Sequence, residues 1–182
     1  LPFILGHEVS GYVTECGADV TALQPGDRVA LEPGVPCGKC ELCLTGKYNL
    51  CPDVHFLAAP PYDGALRKFM AFPAKMCFKL PDDMTMQEGA MLEPLAVGMH
   101  AARRGGVGLG KSVCILGSGT IGIMTLLACK AMGATEIIVS DLVGHRLESA
   151  KRLGATVTAN PKEVDVTEAV LQATGGKGCD VV

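Results

Sequence analysis

The sequence predicts an α/β chain in two parts: a small β domain shaped as a partly open barrel, then a doubly wound parallel sheet. Three observations carry that expectation. Residues 1–80 are short alternating runs broken by glycine and proline. From about residue 85 longer helix-like segments alternate with short apolar strands, the pattern of βαβ crossovers. A glycine loop, Gly117-Ser118-Gly119-Thr120-Ile121-Gly122, sits where one of those strands meets a helix.

In chain order, a strand-like opening at residues 1–5 is followed by alternating runs at 9–13, 28–31, 65–72 and 76–80. Pro25-Gly26-Asp27, Asp63-Gly64 and Pro81-Asp82-Asp83 are the turns between them. Thr85 with Glu88 three residues later reads as a capping box opening a helix through Leu92, Leu95 and His100 towards Ala102. Val113-Cys114-Ile115-Leu116 is the next strand, and the helix after the glycine loop runs to Ala131 and stops at Gly133. A strand at 137–140 and a charged helix at 145–153, closed by Gly154, repeat the pattern. The terminal run Asp180-Val181-Val182 reads as a further parallel strand. Because the chain opens on a strand-like run and stops in an apolar one, it is expected to be an internal piece of a longer protein.

The chain has 182 residues, 48% hydrophobic and 19% charged, with formal net charge −3, which permits one or two domains with a sizeable core. With no basic run and no aromatic–basic interleaving, nucleic acid is excluded as a partner. No apolar stretch reaches the roughly 18 residues that span a bilayer, and no signal peptide is seen, so no membrane partner is expected. Of nine cysteines, four are clustered and five (Cys16, Cys77, Cys114, Cys129, Cys179) lie among apolar neighbours, which reads as buried free thiols in a reducing cytoplasm.

A lone G-x-G-x-x-G is weak, but here it follows an apolar strand, opens a helix, and is followed at a second strand end by Asp141. Gly117 permits the tight turn, Gly119 lets backbone approach a pyrophosphate, and Gly122 allows close helix–strand packing, while amides from Thr120 onward bind phosphate charge. Asp141 would accept hydrogen bonds from ribose hydroxyls and repel a 2′-phosphate, so NAD is expected over NADP. Arg146 is open to three readings: a 2′-phosphate partner, a neighbour of adenine, or a bridge to Asp141.

Cys37, Cys40, Cys43 and Cys51 have C-x2-C-x2-C-x7-C spacing, which closes a thiolate cage around one zinc ion with no open position and hence a structural role. Gly38 is expected to relieve crowding beside the metal. An iron–sulfur cluster is the rival, although the ferredoxin motif has three residues before its last cysteine rather than seven; a thioredoxin-type C-x-x-C lacks its βαβ context. Gly6-His7-Glu8 places an imidazole beside a carboxylate, which suits either a zinc ligand pair or an ordinary hydrogen-bonded histidine. Glu93 is an acid within an apolar stretch: it either pairs with Arg103 or Arg104, or faces a metal-bound water. His100 reads as an interior residue, His145 as a surface residue at a helix start, and His55 is unassigned.

Gly6-His7-Glu8 with Gly11 and Gly17, the four-cysteine lobe and the glycine loop together resemble the zinc-dependent medium-chain dehydrogenase/reductase family, over the whole chain. Leu31-Glu32-Pro33-Gly34, Lys47-Tyr48-Asn49-Leu50-Cys51, Ala59-Pro60-Pro61-Tyr62-Asp63-Gly64, Leu92-Glu93-Pro94-Leu95 and Arg103-Arg104-Gly105-Gly106 bring it nearest the polyol dehydrogenases of the sorbitol (L-iditol) type. The resemblance implies a GroES-like catalytic domain over residues 1–95, carrying the structural-zinc lobe 37–51, and a Rossmann NAD-binding domain over 96–182, each truncated at its outer end. It implies a catalytic zinc held by His7, Glu8 and a cysteine upstream of His7, with Glu93 contacting the zinc water or substrate and Phe56 walling the substrate pocket. It implies that Ile121, Asp141 and Arg146 touch the cofactor. The activity implied is NAD-linked oxidation of a polyol secondary alcohol to a ketose, with L-threonine 3-dehydrogenase or butanediol dehydrogenase as alternatives. A metal-free quinone or enoyl reductase is disfavoured by the cysteines and His7. A zinc-stabilised nucleotide-sensing protein is the non-enzymatic alternative. A homotetramer is expected for the full-length protein, and inactivity for this piece alone.

Overall fold

The computed structural model describes residues 2–182. Its backbone divides into two compact units, Leu1–Glu93 and Pro94–Val182. In the first, β1 (Ser10–Tyr12) pairs antiparallel with β2 (Arg28–Leu31), with Gly11 opposite Val29. A second antiparallel pair is formed by β3 (Gly34–Val35) and β4 (His55–Phe56), and β5 (Cys77–Lys79) joins the far edge of β2 with Ala30 opposite Phe78. Val29 and Ala30, in the central strand, are buried. Arg28 caps the sheet end by donating to the carbonyls of Met84 and Pro81 at 2.7 and 2.6 Å, and Lys79 pairs with Asp27 at 2.8 Å.

Two strand expectations fail. Leu1 of the strand-like opening lies outside the described residues, and residues 2–9 form no strand. The backbone of residues 4–6 is instead held by residues 63–66 through irregular hydrogen bonds. Residues 65–72 also form none: Leu66, Phe69 and Phe72 fall three apart, so no pleated face collects them, and Leu66 and Phe69 are exposed.

Between β3 and β4 lies a lobe built on α1 (Glu41–Leu44) and a 3-10 turn at Tyr48–Leu50, neither of which buries any residue. α2 (Met86–Arg104) begins with the expected capping box: Thr85 N–H donates to Glu88 Oε2 at 2.7 Å, and Glu88 N–H donates to Thr85 Oγ1 at 3.2 Å. Pro94 stands inside this helix and is fully buried.

The second unit is a parallel sheet. β6 (Ser112–Leu116), α3 (Thr120–Ala131), β7 (Glu136–Ser140), α4 (Gly144–Leu153) and β8 (Val157–Ala159) follow in turn, then α5 (Val166–Ala173). β7 lies between β6 and β8 with Cys114 opposite Ile138 and Val139 opposite Thr158. Val181 bridges Val113 in parallel on the remaining edge of β6. The chain thus steps outward from β6 to β8 and then returns to the other side of β6. Such a reversal is the switch point at which doubly wound sheets bind ligands, beyond the strand carboxyl ends. Ile137, Ile138 and Val139 are fully buried, as strands covered on both faces require, and Leu126, Cys129, Leu147 and Ala150 pack the helices onto them.

β8 and α5 were not expected. Three residues give too short a pattern to read, but Asp165 with Glu168 was a legible helix start: its carboxylate accepts from Thr167 N–H at 2.7 Å. His100 is exposed rather than interior, and His145 is exposed as expected. All nine cysteines are free, yet among the five scattered ones only Cys114 and Cys129 are buried; Cys16, Cys77 and Cys179 are half-buried. Among the described residues, no helix is long and apolar enough to cross a membrane.

Candidate functional site

His7, Glu8 and Glu93 converge within the first unit, each offering one ligand atom, with these atoms all within 4.8 Å of one another. His7 and Glu93 are half-buried and Glu8 is exposed. The Phe56 ring lies 5.5 Å from the His7 ring, tilted by 59°, so β4 walls one side of the imidazole. Burial pushes the Glu93 carboxyl above its usual range; the nearby His7 opposes that rise and Glu8 adds to it. Glu93 makes no ion pair with Arg103 or Arg104, and neither Glu8 nor Glu93 is matched by a lysine or arginine among the described residues. Two unmatched carboxylates beside an imidazole are a donor set that a divalent cation would balance. Imidazole nitrogen and carboxylate oxygen are also donors of the kind that zinc takes. No cysteine precedes His7 in the sequence.

The four clustered thiols are gathered as their spacing demands. Sγ separations are 3.4 Å for Cys40–Cys43 and 3.9 Å for both Cys37–Cys43 and Cys40–Cys51. A tetrahedron with Zn–S bonds near 2.3 Å has edges of about 3.8 Å, so these three separations lie close to the spacing zinc needs, and all four sulfurs lie within 4.8 Å of one another. Backbone N–H groups of Lys39 and Cys40 hold the Cys37 thiol down to about 6. Burial, then the Cys40 thiol, pushes Cys43 up to about 12. Thiols packed this closely cannot all lose their protons unless a cation joins them. Gly38 serves the lobe through its backbone, with φ of +72°; a Cβ there would meet nothing within 4 Å, so crowding is not the reason for glycine.

In the second unit the glycine loop lies beyond the carboxyl end of β6, at the switch point. Gly117 has φ of +103°, and a Cβ on Gly122 would overlap the Gly117 carbonyl, so the turn and the helix start exclude side chains for separate reasons. An open cleft there is lined by Gly117, Gly119, Thr120, Ile121 and Gly122. Asp141, just past β7, accepts from Ser118 N–H at 2.7 Å and Val143 N–H at 2.9 Å. The Ser118 amide is the main reason its carboxyl lies below the usual range; Arg146 contributes a weaker pull and is not within ion-pair distance. Ser118 is buried, and its Oγ has no partner among the described residues at hydrogen-bond distance. The link between Ser118 and Asp141 escaped the sequence because it depends on β6 and β7 being neighbours, which motif spacing does not encode.

Two family profiles match the chain: the alcohol dehydrogenase GroES-like domain over residues 1–82 and the zinc-binding dehydrogenase domain over residues 120–182. Sorbitol dehydrogenase of Bacillus subtilis is 47% identical over 99% of this chain and 51% of its own length. A solved oxidoreductase/dehydrogenase of unknown specificity from Escherichia coli superposes with TM-score 0.94 at 50% identity, over 97% of this chain and 51% of its own. A zinc-binding dehydrogenase from Sinorhizobium meliloti bound to NADP gives TM-score 0.87 at 36% identity, over 93% of this chain and 49% of its own. The chain spans about half the length of the curated relatives it matches. With a GroES-like first part, a parallel-sheet second part and alignment to relatives over nearly its whole length, the chain belongs to the zinc-dependent medium-chain dehydrogenase/reductase family, near its polyol dehydrogenases.

Proposed function

We propose that the full-length protein is a zinc-containing oxidoreductase that oxidises a secondary alcohol of a sorbitol-, xylitol- or L-iditol-type polyol to a ketose, with NAD as hydride acceptor. The convergence of His7, Glu8 and Glu93 into one unbalanced donor set is the observation that carries the reading. In this reading residues 1–95 form the catalytic domain and 96–182 the nucleotide-binding domain. His7 and Glu8 hold the catalytic zinc with a further ligand that residues 1–182 do not supply, and Cys37, Cys40, Cys43 and Cys51 hold a structural one.

Zinc at the His7 centre supplies a Lewis acid that eases loss of the hydroxyl proton, and the nicotinamide supplies the acceptor for the hydride leaving the same carbon. The chain's own residues do the rest. Glu93, its carboxyl raised by burial, is suited to hold a proton or to accept a hydrogen bond from the substrate hydroxyl. Phe56 presents an apolar face beside His7 that limits water around the reacting carbon. Gly117, Gly119 and Gly122 shape the turn, amides from Thr120 and Ile121 receive the pyrophosphate, and Asp141 takes the ribose hydroxyls, with Arg146 alongside. The Asp141 carboxylate already occupied by the Ser118 amide opposes a 2′-phosphate, which favours NAD over NADP.

A panel of polyols, threonine and butanediol, run with NAD and with NADP on the full-length protein, tests this. Turnover of sorbitol or xylitol with NAD is expected. Turnover of threonine or butanediol with none of the polyols would reject the substrate class, and better use of NADP would reject the role given to Asp141. A homotetramer in the cytoplasm, and no activity from residues 1–182 alone, belong to the same proposal.

A further inference from the structure

His7 and Glu8 follow a stretch of backbone that belongs to no strand, so something else must fix where they point. Residues 63–66 do so by four hydrogen bonds to three consecutive residues. Ile4 N–H donates to Asp63 Oδ1 at 2.9 Å, and Gly64 N–H donates to the Ile4 carbonyl at 2.6 Å. Leu66 N–H donates to the Leu5 carbonyl at 2.9 Å and Ala65 N–H to the Gly6 carbonyl at 2.8 Å. Contact is so close that a Cβ on Gly64, which is buried, would overlap the Leu5 and Gly6 backbone. Asp63 is the only side chain in this ladder: its carboxylate holds the first N–H, while the peptide groups beyond it hold the rest. The ladder ends on Gly6, and the next residue is the imidazole.

We propose that residues 63–66 form the positioning element of the His7–Glu8 metal centre, with Asp63 as its positioning side chain. The inference rests on the zinc reading above. Ligand sites tolerate little displacement, and groups that orient a ligand from behind typically change metal affinity by about 10–100-fold when removed. A carboxylate that merely decorated a surface turn would leave metal affinity alone.

Zinc release from the full-length protein to a chromophoric chelator separates these cases. Two release phases are expected, and the one abolished by His7→Ala reports this centre. Asp63→Ala is expected to weaken zinc retention in that phase by about tenfold or more, leaving the cysteine-lobe phase unchanged. Asp63→Asn, which keeps an acceptor oxygen for the Ile4 N–H, is expected to stay within about threefold of the unmodified protein. The inference is overturned if Asp63→Ala leaves the His7 phase unchanged, if both phases shift together, or if Asp63→Asn behaves as Asp63→Ala does. A parent protein with no His7-dependent phase overturns the zinc reading itself, a distinct outcome visible before any Asp63 variant is made.

Discussion

A single methyl group at residue 122 would overlap the carbonyl of Gly117, and neither partner is a flexible side chain that can step aside. Gly122→Ala therefore forces β6 and α3 apart at the loop. Overpacking of this kind costs about 1–3 kcal/mol, and here the displaced backbone is also the proposed phosphate cradle. A lower Tm together with NAD affinity reduced at least severalfold is the expected result. Calorimetry and a fluorescence titration check it, and unchanged values of both would remove Gly122 from the cradle. Residue identities of this sort were legible because a turn, a strand and an acid stand at fixed separations along the chain. The same holds for the four cysteines. Periodicity left Glu93 open, either paired with Arg103 or Arg104 or facing a metal-bound water; only the resemblance set it beside His7 and Glu8, which the fold brings to it from the far end of the unit. Gly38 was legible as necessary, but for backbone conformation rather than for space.

Elements are tied to one another by a few polar groups, of which Asp180 is the clearest. It accepts from Ser112 N–H at 2.9 Å, from Ser112 Oγ at 2.8 Å and from Lys111 Nζ at 3.1 Å, so the returning strand is fastened to the start of β6. The Ser112 amide is the leading reason that the Asp180 carboxyl falls from 3.8 to about 2. A carboxyl depressed on folding stabilises above its unfolded value and loses that contribution as pH falls through the folded one. The stability lost in Asp180→Asn should thus be full above about pH 4 and fade towards pH 2. Urea midpoints of the two proteins across that range test it; a gap that does not narrow would show that charge is not what matters. At this scale the capping box of α2 and the βαβ order could be read directly, since both are local. The failed strand at 65–72 has a local sign in the three-residue spacing of Leu66, Phe69 and Phe72, and a non-local cause that sequence does not display: residues 4–6 claim the amides of 64–66.

For the molecule as a whole, the division between Glu93 and Pro94 falls inside one continuous helix. Pro94 has no N–H to give the turn before it, so the helix is weakest where the two units divide. Native-state hydrogen exchange is expected to sort amides into two groups. Val29 and Ala30 should share one opening free energy, and Leu126, Ile138 and Val139 a second. One common opening energy for all five would mean that the chain unfolds as a single cooperative body. Fold class was legible at this scale from the change of texture near residue 85, where short runs broken by glycine and proline give way to helices alternating with strands.

The lobe between Cys37 and Cys51 contains a short helix and a tight turn that bury nothing, with Leu44 and Leu50 turned to water. Ordinary domains acquire their shape from closely packed apolar interiors. Of this loop's cysteines only Cys51 is buried, so in the zinc reading its shape would be on loan from the ion that the four sulfurs clasp. On that reading, a cell starved of zinc would make the polypeptide normally and yet carry a limp, protease-prone flap in the middle of the first unit.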